Sequence, residues 1–130
     1  MVDGRETAML EKVAFTMYPV KDVARARKFY GEVMGLKEGS KGNQGEGWWI
    51  EYDLPGGGCF AITNFTQDEP SGNGGTIAFE VTDIEALCTE LEAKGVTFKS
   101  EMIPSPVCRM RVISDSEGNS ILLHQLHKKR

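Results

Sequence analysis

The sequence predicts an α+β domain of two tandem βαβββ modules, which form one curved mixed sheet around a cup and carry their helices on the convex side. Strand and helix patterns follow the same order in both halves of the 130-residue chain, on either side of a linker-like stretch at 66–75. Similar residues also recur at a constant offset: Tyr18 is matched by Phe79 and Asp22 by Asp83, each 61 residues later. A repeat of this size cannot bury its helix and sheet alone, so both units should share one core.

The predicted boundaries follow from the linker. We assign 9–127 to a single domain, with module one at about 12–65, the linker at 66–75 and module two at about 76–126. A chain of this length can bury a core without disulfides or metals. The alternative is a ferredoxin-like domain whose halves share their caps by coincidence. The offset extends from the first predicted strand to the last, which favours the repeat.

Module one begins with a run rich in β-branched and aromatic residues, 12–20, which predicts the first strand. Asp22 then caps a helix at 23–34, where apolar residues recur at helical spacing. A polar, glycine-rich loop or weak edge strand and two further strands follow, at 37–47, 48–54 and 59–65.

Module two repeats this order. A strand at 76–81 leads to Asp83, which caps a helix at 84–94. A turn at 115–119 precedes the final strand, and its Gly118-Asn119 pair supplies the positive φ that a chain reversal needs. The three strands after the helix are predicted at 96–100, 109–113 and 120–126.

Composition and charge exclude several classes of partner. The net charge of -4 is not that of a protein that binds nucleic acid or an anionic membrane surface. The chain has neither a signal-peptide apolar region nor a run of about eighteen apolar residues. Its three cysteines lack the spacing of a disulfide framework or a zinc site. We therefore expect a cytoplasmic protein without nucleic-acid or membrane partners.

Strand alternation predicts which side chains line the cup, because residues two apart share a face. In module two, Ile77 and Phe79 should meet the helices, which directs residues of the other parity into the cup. Two strands leave alternatives open: Trp49 and Glu51 or else Trp48 and Ile50, and Arg109 and Arg111 or else Cys108 and Met110. The predicted ligand-binding residues are Phe15, Met17, Trp49, Glu51, Ala61, Thr63, Thr76, Arg109, Arg111 and Leu122. This largely apolar lining is typical of a small-molecule pocket.

Glu80 and His124 are the candidate catalytic residues of the cup. A carboxylate in an apolar cup can share a proton with a nearby imidazole, and the pair can act as general acid or base. The alternative is structural, with His124 at the rim and Glu80 in an ion pair with Arg109 or Arg111.

Two other residue types have both a binding and a structural interpretation. Trp48 and Trp49 offer flat faces on which an aromatic or cationic ligand can stack, although tryptophans in a strand are also common in cores. Cys59 and Cys108 have no adjacent base in the sequence, so we interpret them as small buried side chains rather than reactive thiols.

Five motifs occur in order along the chain: a first strand that leads into Asp22, FYxxxxGL at 29–36, IAFEVxDIxA at 77–86, LxxKGV at 91–96 and DxxGNxIxLxQ at 115–125. Together they resemble the vicinal oxygen chelate superfamily, which includes glyoxalases, extradiol dioxygenases and bleomycin-resistance proteins. The resemblance covers nearly everything from 13 to 126 and implies the βαβββ repeat described above.

The resemblance also implies a divalent metal in the cup, with ligands from the first and last strands of each module. The equivalent positions are Phe15 and Ala61 in module one and Thr76 and Leu122 in module two. Three of these side chains have no donor atom, and a lone Thr hydroxyl is a poor ligand for such ions. We therefore predict no metal site and no cofactor.

These observations predict a metal-free small-molecule-binding protein that holds an apolar or aromatic ligand in its cup. The resemblance adds a homodimer, because small two-module chains of the superfamily often complete their cups with residues of a partner. The alternative is a glyoxalase-like lyase or isomerase, or a dioxygenase-related enzyme. In the lyase or isomerase, Glu80 and His124 would act as acid and base on a small carbonyl substrate.

Overall fold

The computed structural model describes residue 9 and residues 12–66 and 68–128, so residues 10, 11 and 67 of the predicted domain lie outside the described part. Its strands are β1 (Thr16–Pro19), β2 (Glu38–Gln44), β3 (Gly47–Asp53), β4 (Cys59–Thr63), β5 (Ile77–Glu80), β6 (Ile103–Pro104), β7 (Cys108–Ser114) and β8 (Ser120–Leu126). Its helices are α1 (Val23–Arg27), which continues directly into a π-helix (Lys28–Val33), and α2 (Ile84–Ala93). Neither helix of the described ranges is long and apolar enough to cross a membrane.

The strands form two four-stranded mixed sheets of identical topology. Their orders are β1-β4-β3-β2 in module one and β5-β8-β7-β6 in module two. In each sheet the first strand is parallel to the last strand of its module, and the other neighbours are antiparallel. The α+β fold of two βαβββ modules is therefore confirmed.

The prediction of a strand at 96–100 is wrong. In this segment only Phe98 forms an isolated bridge, with Ile113 of β7, and the edge strand beside β7 is β6. The amide of Val112 donates to the side-chain hydroxyl of Ser100 (2.9 Å) rather than to a main-chain carbonyl. A side chain thus replaces a backbone acceptor at this point.

The first helix differs from the prediction in its second half. The Asp22 side chain caps α1 and the Asp83 side chain caps α2, as the sequence predicts. From Lys28 onward, however, the helix has π geometry, which brings one more residue into each turn. The helical stretch is followed by Gly35, whose φ of 76° lies in the left-handed region that favours glycine.

One hydrophobic core joins the modules. The ring of Phe60 on β4 lies 5.4 Å from that of Tyr18, 4.9 Å from that of Tyr30 and 5.7 Å from that of Phe79 in module two, measured between centroids. The Tyr18 hydroxyl also donates to a carbonyl of module two, that of Ser120 (2.6 Å). We call the side of each sheet that contacts this core the helix-facing side, and the opposite side the open face.

The turn between β7 and β8 fastens module two to module one through buried polar groups. The Asp115 carboxylate accepts a hydrogen bond from the Tyr30 hydroxyl (2.6 Å). The Asn119 side chain donates to the carbonyl of Pro19 (3.1 Å) and accepts from the amide of Ser71 in the linker (2.9 Å). The most prominent turn of the sequence is thus a junction between modules.

Glu117 completes this junction at the start of α1. Its carboxylate accepts hydrogen bonds from the amides of Lys21 and Asp22 (3.3 Å each) and from Nε of Arg25 (2.6 Å). Burial would raise the pKa of Glu117, but these hydrogen bonds outweigh it and lower the pKa below its ordinary value. The ionised form of Glu117 therefore stabilises the contact between the modules.

Candidate functional site

Within each strand, the open face carries the residues that alternate with the core residues. Core residues such as Ile50, Tyr52 and Phe60 lie on the helix-facing side, so their strand neighbours point away from the core. The open face includes Phe15, Met17, Trp49, Glu51, Asp53, Cys59, Ala61, Thr63 and Phe65 in module one, and Ala78, Glu80, Cys108, Met110, Val112, Leu122, His124 and Leu126 in module two.

An aromatic cluster of Phe15, Trp49 and Phe65 dominates the open face of module one. The Phe15 ring meets the Trp49 ring edge to face, with centroids 5.1 Å apart and planes at 85°. The Phe65 ring is stacked with that of Trp49 at 6.5 Å and 19°. Phe15 and Phe65 remain 45% and 47% exposed. The cluster therefore presents a partly exposed aromatic surface.

Trp49 is fixed within this cluster by a carboxylate. Its indole Nε1 donates to Oε2 of Glu51 at 2.8 Å. Trp48 points to the other side of β3 and packs against the core. Of the two alternatives left open by the sequence, the structure therefore places Trp49 and Glu51 on the open face.

Two carboxylates and a thiol continue the open face along β3 and β4. Asp53 is opposite Cys59 and Glu51 is opposite Ala61 in the antiparallel pair. Burial raises the pKa of the Cys59 thiol, and the negative charges of Glu51 and Asp53 raise it further. Because the thiolate is the reactive form, Cys59 is a poor nucleophile at neutral pH.

Three predicted contact residues, Ala61, Thr63 and Thr76, either are buried or lie outside the accessible part of the open face. Ala61 and Thr63 are fully buried, and the Thr63 hydroxyl is engaged by the Trp48 carbonyl (2.8 Å) and the Phe65 amide (2.9 Å). Both therefore support the strand instead of offering surface to a ligand. Thr76 is exposed and lines a separate 620 Å³ cavity between β1 and the linker.

Glu80 and His124 lie together on the open face of module two. They are direct partners in the parallel pair of β5 and β8. Oε1 of Glu80 is 2.5 Å from Nδ1 of His124, and Oε2 accepts the amide of Leu126 at 2.8 Å. Since a carboxylate can only accept, Nδ1 carries the proton in this pair and Nε2 is the nitrogen left to interact with other groups.

The prediction that Arg109 and Arg111 line the cup is wrong, because both lie on the helix-facing side. Arg109 forms an ion pair with Glu85 of α2 (2.5 Å), and the Arg111 guanidinium lies 4.1 Å over the ring of Phe98. Glu80 forms a pair with His124 of β8. The alternative pair, Cys108 and Met110, occupies the open face of β7. The sequence could have indicated the orientation of β7, because Ile113 is a typical core residue and lies on the same face of the strand as both arginines.

Asp53 and Phe65 lie on the open face but were missing from the predicted lining, as was Cys59. Asp53 follows Trp49 and Glu51 at the same two-residue spacing, and Phe65 follows Ala61 and Thr63. Each lies at or just beyond the end of its strand. Extending the alternation by one step would have found both.

Comparison with known proteins gives the family. The profile of the glyoxalase/bleomycin resistance protein/dioxygenase superfamily matches residues 12–123. The chain belongs to this superfamily. A lactoylglutathione lyase of Schizosaccharomyces pombe is 32% identical over an alignment of 119 residues, and this alignment covers 70% of this chain. The chain spans only 39% of the length of that enzyme.

Solved structures of several bacterial proteins show the same fold. TnmS3, an antibiotic binding protein from Streptomyces sp. CB03234, has a TM-score of 0.78 at 24% identity, over 92% of this chain and 98% of its own. A glyoxalase/bleomycin resistance protein from the same organism has a TM-score of 0.74 at 25% identity, over 88% and 100%. A superfamily domain from Frankia sp. EAN1pec has a TM-score of 0.76 at 19% identity, over 93% and 96%.

The residues at the superfamily's metal positions do not fit a metal ion. Phe15 packs on Trp49, Ala61 is fully buried, and Leu122 lies between Ala78 and Val112 on the neighbouring strands. None of these side chains has a donor atom for a divalent ion. Within the described residues, no group of three or more His, Cys, Asp or Glu is placed to hold a metal.

Proposed function

We propose that this protein binds a small apolar or aromatic molecule on its open face and does so without a metal. The observation that carries the proposal is the aromatic cluster, in which Trp49 lies between two half-exposed phenylalanines and is fixed by Glu51. Rigid aromatic side chains provide a large contact area at a low cost in conformational entropy. Exposed apolar surface of this kind is typical of a binding site.

The superfamily supports this proposal in general terms. TnmS3, whose structure has the same fold, is an antibiotic binding protein. Three of the four residues at the metal positions of this chain have no donor atom, and this favours the same type of function over metal-dependent chemistry.

The two tryptophans allow a direct test. In Trp48→Phe, Trp49 is the sole tryptophan reporter, and in Trp49→Phe it is Trp48 on the helix-facing side. We expect 2-naphthol to change the emission of Trp48→Phe saturably and to leave that of Trp49→Phe nearly unchanged. Phe65→Ala should weaken binding about two- to tenfold, the effect of losing one aromatic contact. Equal responses of both tryptophans, or none, would contradict the proposal.

A second candidate function rests on the 2.5 Å contact between Glu80 and His124. Nε2 of His124 could remove a proton from the hydroxyl-bearing carbon next to a carbonyl, while Glu80 stabilises the imidazolium. The imidazolium would return this proton to the former carbonyl carbon as the hydroxyl proton passes to the former carbonyl oxygen, which is a metal-independent isomerase reaction. The similarity to a lactoylglutathione lyase supports it.

Proton exchange tests this second function. We expect the protein to accelerate deuterium incorporation into dihydroxyacetone in D2O, measured by NMR, and His124→Asn and Glu80→Gln to abolish the acceleration. Trp49→Phe, on the other module, should retain it. Exchange no faster than in buffer would exclude this chemistry for such carbonyl substrates.

We further propose a cytoplasmic homodimer. Exposed Val13 and Met17 near β1 offer apolar surface to a second copy, and all three cysteines are unpaired, as in a reducing compartment. Light scattering should give twice the chain mass of 14.4 kDa. A monomer at micromolar concentration would contradict the assembly without touching the binding proposal.

A further inference from the structure

The aromatic cluster is bordered by carboxylates, and this combination indicates the charge of the ligand. We infer that the open face of module one binds a planar aromatic cation, which stacks on the cluster of Phe15, Trp49 and Phe65 while Glu51 and Asp53 face its positive charge. This inference rests on the proposed binding function and specifies its ligand class.

The geometry places ring and charge side by side. Along β3, Trp49, Glu51 and Asp53 are two residues apart from one another. Their side chains therefore project from the same face of the strand in one row. Successive members of such a row are about 7 Å apart, a distance that a fused two-ring ligand can span. The residues opposite the carboxylates on β4 are small, Ala61 and Cys59, so no long side chain from β4 covers them.

Glu51 and Asp53 are not neutralised by any cation in the described part of the chain. Across residues 12–66 and 68–128, no Lys, Arg or His forms an ion pair with Glu51 or Asp53. Arg27 and Lys41 are basic neighbours of this sheet, but both pair with Glu38 on the helix-facing side. The open face of module one therefore combines aromatic rings with uncompensated negative charge.

The pKa of the Cys59 thiol is affected by the same negative charge. Burial is the main reason for its raised pKa, and Glu51 and Asp53 both add to it. Two carboxylates that disfavour a thiolate will also disfavour an anionic ligand, and they will favour a cation. The faces of the aromatic rings act in the same direction, because their quadrupole attracts positive charge.

Module two has no comparable combination. The apolar residues of its open face include Ala78, Met110, Val112, Leu122 and Leu126, none of which is aromatic, and the carboxylate of Glu80 is engaged by His124. The inference therefore concerns module one alone.

The test compares three probes of nearly the same shape: 1-methylquinolinium, 1-methylnaphthalene and 1-naphthoate, with charges of +1, 0 and −1. Affinities are measured by isothermal titration calorimetry on the full chain, on Glu51→Gln and on Glu92→Gln. Glutamine retains an acceptor for the Trp49 indole and removes the charge. Glu92 lies exposed on α2, far along the chain from the aromatic cluster, so its variant reports the effect of net charge alone.

We expect the unaltered chain to bind the cation about tenfold more tightly than the neutral probe and to bind the anion weakest. Glu51→Gln should reduce this preference to about twofold without changing the affinity for the neutral probe, and Glu92→Gln should retain it. Raising the salt concentration should also reduce the preference.

Each other outcome has a definite meaning. Equal binding of all three probes, or tighter binding of the anion, would overturn the inference and leave the proposed binding function standing. A preference that falls equally in both variants would show a net-charge effect and would also overturn it. Failure of all three probes to bind would remove the proposed function together with the inference.

Discussion

At the scale of single residues, two buried tyrosines have opposite hydrogen-bonding environments. The Tyr30 hydroxyl donates to Asp115 at 2.6 Å, whereas the Tyr52 hydroxyl has no hydrogen-bond partner in the described part of the chain. Burial raises the pKa of both, for Tyr52 to about 12, so both phenols remain protonated across the physiological range. Only Tyr30 is therefore expected to stabilise the fold through its hydroxyl.

Removing each hydroxyl tests this difference. Tyr30→Phe deprives a buried carboxylate of a donor and should lower the free energy of unfolding by about 1–3 kcal/mol. Tyr52→Phe removes an unsatisfied polar atom and should be neutral or stabilising. Urea denaturation measures both, and an equal loss in the two variants would contradict the assignment.

At the scale of elements, the turn at 115–119 stabilises the junction in a pH-dependent way. The pKa of Glu117 is held below its ordinary value of 4.5 in the folded state. Its contribution is therefore complete above that ordinary value and is lost as the pH falls through the lowered pKa. We expect thermal stability to fall more steeply on acidification in the unaltered chain than in Glu117→Gln, with Glu92→Gln behaving like the unaltered chain. Parallel pH profiles of Tm for all three proteins would contradict this role.

Alternation within each strand shows how far the sequence predicts such elements. The order of strands and helices, both helix caps and the parity of β5 and β8 follow from local residue patterns and agree with the structure. For β3 the local pattern left both parities open, and the structure selects Trp49 and Glu51. The predicted parity of β7 was wrong because its arginines bind α2 and Phe98, which are distant partners. The π-helix likewise has no local pattern that distinguishes it from an α-helix. Local periodicity predicts the elements, whereas contacts between elements decide which side chains reach the site.

At the scale of the whole molecule, the modules are coupled through shared aromatic residues. Phe79 of module two packs against Phe60 of module one, and the Tyr18 hydroxyl both accepts from the amide of Ile77 and donates to the carbonyl of Ser120 (2.6 Å each). A core divided between two modules in this way should unfold as one unit. A substitution that destabilises one module should therefore destabilise the other module by the same amount.

Phe79→Ala measures this coupling, because both tryptophans lie in module one while Phe79 lies in module two. Loss of a buried Phe ring should cost about 3–5 kcal/mol. If the core is shared, the urea transition followed by tryptophan emission will move to lower concentration by the same amount as the transition followed by far-UV circular dichroism. Independent modules would instead leave the tryptophan transition in place and split the circular dichroism signal into two steps. Because the proposed binding surface lies in module one, a shared transition would also mean that substitutions in module two can weaken ligand binding by destabilising the whole chain.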